Sequence, residues 1–321
     1  MALVAGVTAL AAAIGLSILL LGLQRVFASA PTLWDSNDRD ITDTSLSVVI
    51  PAFDEEQNIE GCLTHVLMSE RPCSRWEVIV VDDQSSDNTV KIAEQAIVTV
   101  AGADQPDATV LQAGPRPKGE RWVGKNWGCC QAMEQVNSEW VLFIDADVTL
   151  APDAIRRALH QSINENADLF SLAPRLTCGC LAEWMVQPIM ASLLGLGFPI
   201  LEANDPASTV AFAAGPFMLF RRDSYNAIGG HRALAGEVVE DLALARRIKE
   251  GGFRLRYVLG IDAVDLQMYA NLQALWEGWS KNWFLGLDRS ISKSLGAGGV
   301  VLLMFTLPWL LLPTSLTMAC L

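Results

Sequence analysis

Short apolar runs alternate with longer amphipathic stretches through the middle of this chain. Leu46 to Ile50, Trp76 to Val81, Thr109 to Gln112, Trp140 to Ile144 and Leu169 to Ala173 are compact and rich in β-branched and aromatic residues, which predicts strands. Between them, Asp54 to Ser69 carries Ile59, Leu63, Val66 and Leu67 on one helical face, and Trp122 to Val136 is a second helix. A third begins after Ser85-Ser86-Asp87, whose side-chain oxygens are expected to cap it, and runs through Ala96. Pro152 suits the first turn of a fourth, Asp153 to Ile163. Strands separated by helices predict an α/β fold with a mostly parallel sheet and right-handed crossovers. Ligands of such sheets bind beyond the carboxyl ends of the strands.

The second half is less regular. Phe217 to Phe220 and Arg254 to Val258 read as strands, and Val239 to Glu250 as a helix closed by Gly251-Gly252. Leu181 to Ile200 is nearly uncharged but contains Pro188 and Pro199, so it reads as an interfacial or acceptor-lining helix, or equally as a buried core helix. Leu272 to Leu287 places Trp276, Trp279, Trp283 and Phe284 at helical spacing, a stripe that suits a membrane surface or a packed core. Met1 to Leu23 has no charge and is long enough to cross a bilayer; it lacks the basic start of a signal peptide. Leu295 to Leu321 is also uncharged, with Pro308 and Pro313 within it.

These boundaries divide the chain into an anchor at 1–24, a polar linker at 25–45, a catalytic domain at 46–270, an amphipathic helix at 271–294 and a membrane segment at 295–321. Arg25 follows the first apolar segment, while Arg289 and Lys293 precede the last. That bias places the central domain on the cytoplasmic side. The net charge of -13 argues against a nucleic-acid partner. The seven cysteines show no metal-ligand spacing, and reduced thiols are expected.

Chemistry is concentrated at three acidic positions. Asp145-Ala146-Asp147 follows the run Trp140 to Ile144, Asp82-Asp83 follows Val78 to Val81, and Glu240-Asp241 opens a helix. Carboxylates at strand ends suit a hard divalent cation, which takes one or two of them together with substrate phosphates. Pro51 to Glu56 ends the first strand at the same edge.

The segments SVVIPAFDEE, VIVVDDQSSDNT, FIDADV and VVEDLAL, in this order and spacing, resemble the family 2 glycosyltransferases. The segment GPRPKGERWVGKNWGCCQA, with the flanking apolar ends, resembles more particularly the members associated with hopanoid and carotenoid glycosylation. The resemblance implies a GT-A fold, a nucleotide-sugar donor, and Mg²⁺ or Mn²⁺. It implies that Pro51, Ala52, Phe53 and Glu55 form the first donor loop, with Phe53 against the nucleobase, and that Asp83 accepts a hydrogen bond from the base, supported by Asp82. It further implies that Asp145 holds ribose and metal, that Asp147 holds metal, and that Lys118 and Lys125 meet the diphosphate. Asp241, with Glu240 beside it, would be the catalytic base. Processive members carry Gln-x-x-Arg-Trp; the nearest match here, Trp279 to Trp283, departs from it, so transfer of a single sugar is expected.

The resulting expectation is an inverting transferase acting on a hydroxyl of an apolar lipid at the membrane. A polyprenyl-phosphate acceptor, which needs no base, remains open, as does a catalytically silent nucleotide-sugar-binding protein. The plain structural readings also stand: surface lysines for Lys118 and Lys125, a helix-dipole role for Glu240 and Asp241, and surface positions for His65 and His160. His231, beside Gly229-Gly230, is expected to line the acceptor side.

Overall fold

The structure, a computed structural model, describes residues 2–35, 42–102, 105–287 and 289–307. Its elements in chain order begin with α1 (Ala2–Ser29), β1 (Thr42–Ala52), α2 (Ile59–Leu67), β2 (Cys73–Asp82), α3 (Thr89–Val100) and β3 (Asp107–Gln112). There follow α4 (Gly124–Met133), β4 (Trp140–Ile144), β5 (Val148–Leu150), α5 (Ala154–Asn164), β6 (Leu169–Ala173) and β7 (Arg175–Leu176). The remainder comprises α6 (Leu181–Gly197), α7 (Ile200–Asn204), β8 (Phe217–Arg221), α8 (Arg222–Ala227), α9 (Glu240–Glu250), β9 (Leu255–Leu259), β10 (Val264–Leu266), α10 (Leu272–Gly286) and α11 (Ile291–Val301). The chain divides into two compact units, 31–179 with 200–268, and 1–30 with 180–199 and 269–321.

The first unit is built on a seven-stranded sheet of order β3-β2-β1-β4-β8-β6-β9. β1 pairs in parallel with β2 and β4, β2 with β3, and β6 with β9, whereas β8 runs antiparallel to both its neighbours. Alternate residues serve opposite faces. Val48, Ile50, Val78, Val80, Leu142 and Ile144 pack on one side with Ile59 and Leu63 of α2 and Ile155 and Leu159 of α5. Val49, Ile79, Val81, Val141 and Phe143 pack on the other with Trp127 and Cys129 of α4 and Leu244 and Ile248 of α9. Every residue of β4 is buried, which explains its unbroken apolar sequence. The small sheet β5-β10-β7 was not visible as strands in the sequence, because its members are two or three residues long.

Several expected boundaries move. The first amphipathic helix begins at Ile59 rather than Asp54, because Asp54 adopts φ 54° and the following amides bond elsewhere: Glu55 N donates to Thr89 Oγ1 at 2.7 Å and Glu56 N to Asp87 Oδ2 at 3.1 Å. The expected caps Ser85 and Ser86 are likewise diverted: Ser85 Oγ accepts from Asp54 N at 2.9 Å, and Ser86 N and Oγ donate to Asp54 Oδ1. Only Asp87 bonds the first turn of α3, through Thr89 N at 2.9 Å. Part of the polar linker is fastened to the domain: Leu33 N donates to Leu259 O, Leu259 N to Pro31 O, and Arg157 Nε to Trp34 O, so residues 31–35 run along β9 and α5. Its residues 36–41 lie outside the described set.

In the second unit, α1 runs to Ser29, and Gly6–Ser29 is long and apolar enough to cross a membrane. Pro188 does not interrupt α6, which continues to Gly197. Glu183 Oε1 of α6 accepts from Tyr269 N at 2.9 Å, and Gln187 Oε1 accepts from Trp279 Nε1 of α10 at 3.0 Å. Leu181, Trp184 and Met185 of α6 and Leu272, Trp276 and Phe284 of α10 are exposed. Pro308, Pro313 and the rest of 308–321 fall outside the described residues.

Trp140 is fully buried beneath the Arg221 guanidinium, 4.7 Å from the ring centroid. Trp140→Ala is expected to cost about 3–5 kcal/mol, read as a lowered denaturant midpoint in equilibrium unfolding.

Candidate active site

The carboxyl ends of β1, β2 and β4 open into a cavity of about 200 Å³ lined by Pro51, Ala52, Phe53, Glu55, Val81, Asp83, Gly124, Lys125, Gly128, Asp145, Ala146 and Asp147. Parallel pairing puts them there: Ala52 lies opposite Asp82, and Asp83 N donates to Ala52 O at 3.0 Å. A larger cleft of about 540 Å³ lies at the opposite edge, among the first residues of β1, β2 and β3, and holds none of the expected site residues.

Each wall has a local cause. The loop after β1 is fastened to the loop after β2 by the Asp54, Glu55 and Glu56 bonds described above, and Asn88 N and Nδ2 donate back to Glu56 Oε2. Phe53 is left exposed at the rim. Asp82 is not among the lining residues; it accepts from Gln84 N at 3.1 Å and Ser85 N at 3.2 Å, so it shapes the loop. Asp83 is buried; one oxygen pairs with Arg116, while Oδ1 has no partner among the described residues. Gly124 is required beside it, because a Cβ there would collide with the Asp83 carboxylate.

Lys125, in the first turn of α4, joins two acidic positions far apart in sequence. Its Nζ lies 2.5 Å from Asp145 Oδ1 and 2.5 Å from Glu240 Oε1. Burial would lower its pKa, but Asp145 and Glu240 outweigh that and hold the ammonium well above the usual lysine value. The two helices that carry these residues, α4 and α9, pack on the same face of the sheet. Beside Glu240, Asp241 accepts from Gly215 N at 3.2 Å through Oδ2 and from Leu242 N at 2.7 Å through Oδ1. Burial and the Glu240 charge push Asp241 up to about 7 against the opposing charge of Lys125.

Asp147 makes no ion pair among the described residues, and the charge of Lys125 acts on it more weakly than the causes that oppose it. Burial, with the charges of Asp145 and Glu55, pushes its carboxyl up to about 7. Burial also raises Glu55, against the hydrogen bond from Asn58 Nδ2 at 2.8 Å. Among the described residues no group of three or more His, Cys, Asp or Glu is arranged to hold a metal alone. Two carboxylates at the pocket wall, Asp147 without an ion pair and Asp145 with only Oδ1 engaged by Lys125, nevertheless fit a hard cation whose other positions go to phosphate oxygens.

Thus Pro51, Ala52, Phe53, Glu55, Asp83, Lys125, Asp145 and Asp147 are gathered around one cavity, with Glu240 joined to it through Lys125 and Asp241 adjacent to Glu240. Lys118 is not gathered; it sits exposed on the loop before α4. His231 does not line an acceptor surface. It is buried, with Nδ1 2.7 Å from the Tyr225 hydroxyl and its ring edge-on to Phe143, and burial together with Lys125 lowers its pKa to about 3. Sequence reasoning passed over Arg116, Gly124 and Gly215. The first two lie in the segment GPRPKGERWVGKNWGCCQA, where nothing in the spacing marks which cation would reach an acid.

Residues 47–229 match the model of glycosyl transferase family 2. Two relatives, both 4,4'-diaponeurosporenoate glycosyltransferases of Staphylococcus aureus, are 28% (strain bovine RF122) and 27% (strain USA300) identical to this chain. Each match covers 81% of this chain and 66% of the relative, so the chain spans just under two thirds of their length. Among solved structures, a mannosyltransferase from Pyrobaculum calidifontis in complex with GDP-Man and Mn²⁺ superposes with a TM-score of 0.59 at 19% identity, covering 98% of this chain and 85% of that one. The likeness establishes a GT-A type fold with a mostly parallel central sheet. Because the family model spans more than half the sequence, the chain belongs to glycosyl transferase family 2.

Proposed function

We propose that this chain transfers a single sugar from a nucleotide-sugar donor to a hydroxyl of an apolar, carotenoid-type lipid, with inversion at the anomeric carbon. The observation that carries the reading is the Lys125 bridge, which ties the donor-side acid Asp145 to Glu240, the neighbour of Asp241. A buried acceptor oxygen without a partner, Asp83 Oδ1, supports a nucleobase that presents an N–H there, with Arg116 on the other oxygen free to meet an adjoining carbonyl. Uracil and guanine have that pattern; adenine and cytosine offer a ring nitrogen that would repel the carboxylate.

Asp145 and Asp147 would hold a divalent cation, whose chemistry when bound is to neutralise charge growing on the departing nucleoside diphosphate. Lys125 brings a fixed positive charge to the same cavity. Asp241 accepts the proton of the acceptor hydroxyl as its oxygen attacks the sugar from the face opposite the leaving group. A carboxylate near 7 suits this work, because it is a stronger base than an ordinary aspartate yet is ionised just above neutrality. Gly215 N and Leu242 N hold its two oxygens in place. The apolar helix Gly6–Ser29 and the exposed aromatic residues of α6 and α10 support a membrane-bound enzyme, and Arg25, Arg289 and Lys293 beside the apolar ends favour a cytoplasmic catalytic domain.

The relatives' name favours a second reading. A diaponeurosporenoate is a carboxylate, already deprotonated at neutral pH, and an acceptor of that kind needs no base. Asp241 would then orient the acceptor instead of taking a proton.

Release of nucleoside diphosphate from a panel of nucleotide sugars, with Mn²⁺ and with hydroxyl-bearing or carboxylate-bearing carotenoids, tests the proposal. UDP- or GDP-sugars are expected to be used, and Asp147→Ala to abolish lipid-dependent release. With a hydroxyl acceptor, Asp241→Asn should lower kcat by about 10²–10⁴; loss of less than tenfold would favour the carboxylate acceptor. Below about 7 Asp241 becomes protonated and cannot accept a proton, so kcat/KM should fall as pH drops through that value and level off above it.

Ionised Asp147 gives a separate prediction. Its folded-state pKa is raised, so its ionisation weakens the fold progressively from the ordinary carboxylate value of 3.8 up to about 7, and fully above that. In EDTA at pH 8, Asp147→Asn should therefore raise Tm, and it should remove the Tm increase that Mn²⁺ gives the wild-type protein.

A further inference from the structure

The stretch that delivers Glu240 and Asp241 is irregular: between α8 and α9 the backbone forms only the short 3₁₀ turn His231–Leu234. Within it Ala233 N bonds Gly229 O at 3.1 Å and Glu237 N bonds Leu234 O at 2.8 Å, so its turns are closed locally, but where those turns sit depends on what grips them. At its start, His231 N and Nδ1 both bond the Tyr225 hydroxyl, at 3.0 and 2.7 Å. Past that turn the contacts come from the beginning of α4. Val123 N donates to Ala235 O at 2.7 Å, and Asn126 Nδ2 donates to Leu234 O at 2.6 Å and Glu237 O at 2.9 Å.

Asn126 is fully buried, and its Oδ1 has no partner among the described residues. The amide hydrogens therefore account for the hydrogen bonding of this side chain, and both go to carbonyls of one loop. The opposite orientation would set Oδ1 against two carbonyl oxygens, so the donor arrangement is dictated by its surroundings. The preceding residue, Lys125, reaches Glu240 just beyond the loop. Two consecutive residues of α4 thus hold the acid-bearing segment at both ends of its final stretch.

We infer that Asn126 is a positioning residue for the transfer: by fixing the 234–237 backbone, it sets where Asp241 stands relative to the donor cavity, without itself touching donor or acceptor. The inference rests on the proposed role of Asp241 at the acceptor. Reacting groups displaced by about 1 Å can cost on the order of 10²-fold in rate, whereas the donor cavity is lined mainly by the ends of β1, β2 and β4 and meets this segment through the Lys125–Glu240 pair.

The test uses the full chain in detergent with Asn126→Ala, the isosteric Asn126→Asp, and Asn126→Ser, which keeps one donor and serves if the others fail to fold. Hydrogen exchange should accelerate at least tenfold in 234–241 and stay unchanged in β1 and β4. Binding of UDP or GDP with Mn²⁺, whichever the wild type prefers, should stay within twofold while kcat falls about 10²-fold, Asn126→Ser lying between wild type and the other two. The inference is overturned if exchange in 234–241 is unchanged, if kcat stays within twofold, or if nucleotide binding and kcat fall together with global stability. A wild-type protein that transfers no sugar would instead remove the functional reading, and the exchange data would still decide whether Asn126 holds the loop.

Discussion

Lys125 Nζ stands 2.5 Å from an oxygen of Asp145 and 2.5 Å from an oxygen of Glu240, and the geometry of the candidate site follows from that pair of contacts. Asp145, Asp147, Glu55, Glu240 and Asp241 are acids crowded into one region of partly desolvated protein. Like charges so placed repel strongly unless a cation lies among them. Lys125 pairs with Asp145 and Glu240, while at Asp147 burial and the charges of Asp145 and Glu55 outweigh its pull and push the carboxyl up to about 7.

The sheet makes the bridge possible. Parallel strands deliver their carboxyl ends to one edge, so acids that follow β2 and β4 arrive beside the turn after β1. The alternation of side chains sends Val49, Ile79, Val81, Val141 and Phe143 to a single face, and α4 and α9 dock there. Lys125 and Glu240 each lie in the first turn of their helix, so two helix starts meet at the open edge of the sheet. The irregular chain before α9 has no strand to guide it and relies on His231, Val123 and Asn126 for its course.

The central strands of the main sheet were legible because burial on both faces writes continuous apolar runs, as in Trp140 to Ile144. The helices were legible in kind, and α5, α9 and α10 in length to within a residue, but the start of α2 was not: at Asp54 the amides bond Ser85, Asp87 and Thr89 instead of starting a turn, a tertiary choice no local pattern reveals. β5, β7 and β10 were invisible because two or three residues carry no period. Of the site, the acids were readable from their place at strand ends and from the resemblance of their segments to a family. Which cation paired with which acid was not: Lys118 and Lys125 looked alike in sequence, and only the fold seats one, half-buried, between Asp145 and Glu240 while leaving the other in solvent. His231 was misjudged for the same reason, since its neighbours in sequence are polar and flexible while its neighbours in space are Phe143 and Tyr225.

The most direct measurement is transfer kinetics and nucleoside-diphosphate affinity for Lys125→Met, which keeps the length of the side chain but removes its charge. If Lys125 joins the donor acids to the acid pair of α9, both quantities fall, with affinity down at least tenfold and kcat down further than the affinity loss explains. A variant that binds nucleotide and transfers sugar as the wild type does would contradict the account, because the two acidic positions would then be working without the link that the structure places between them.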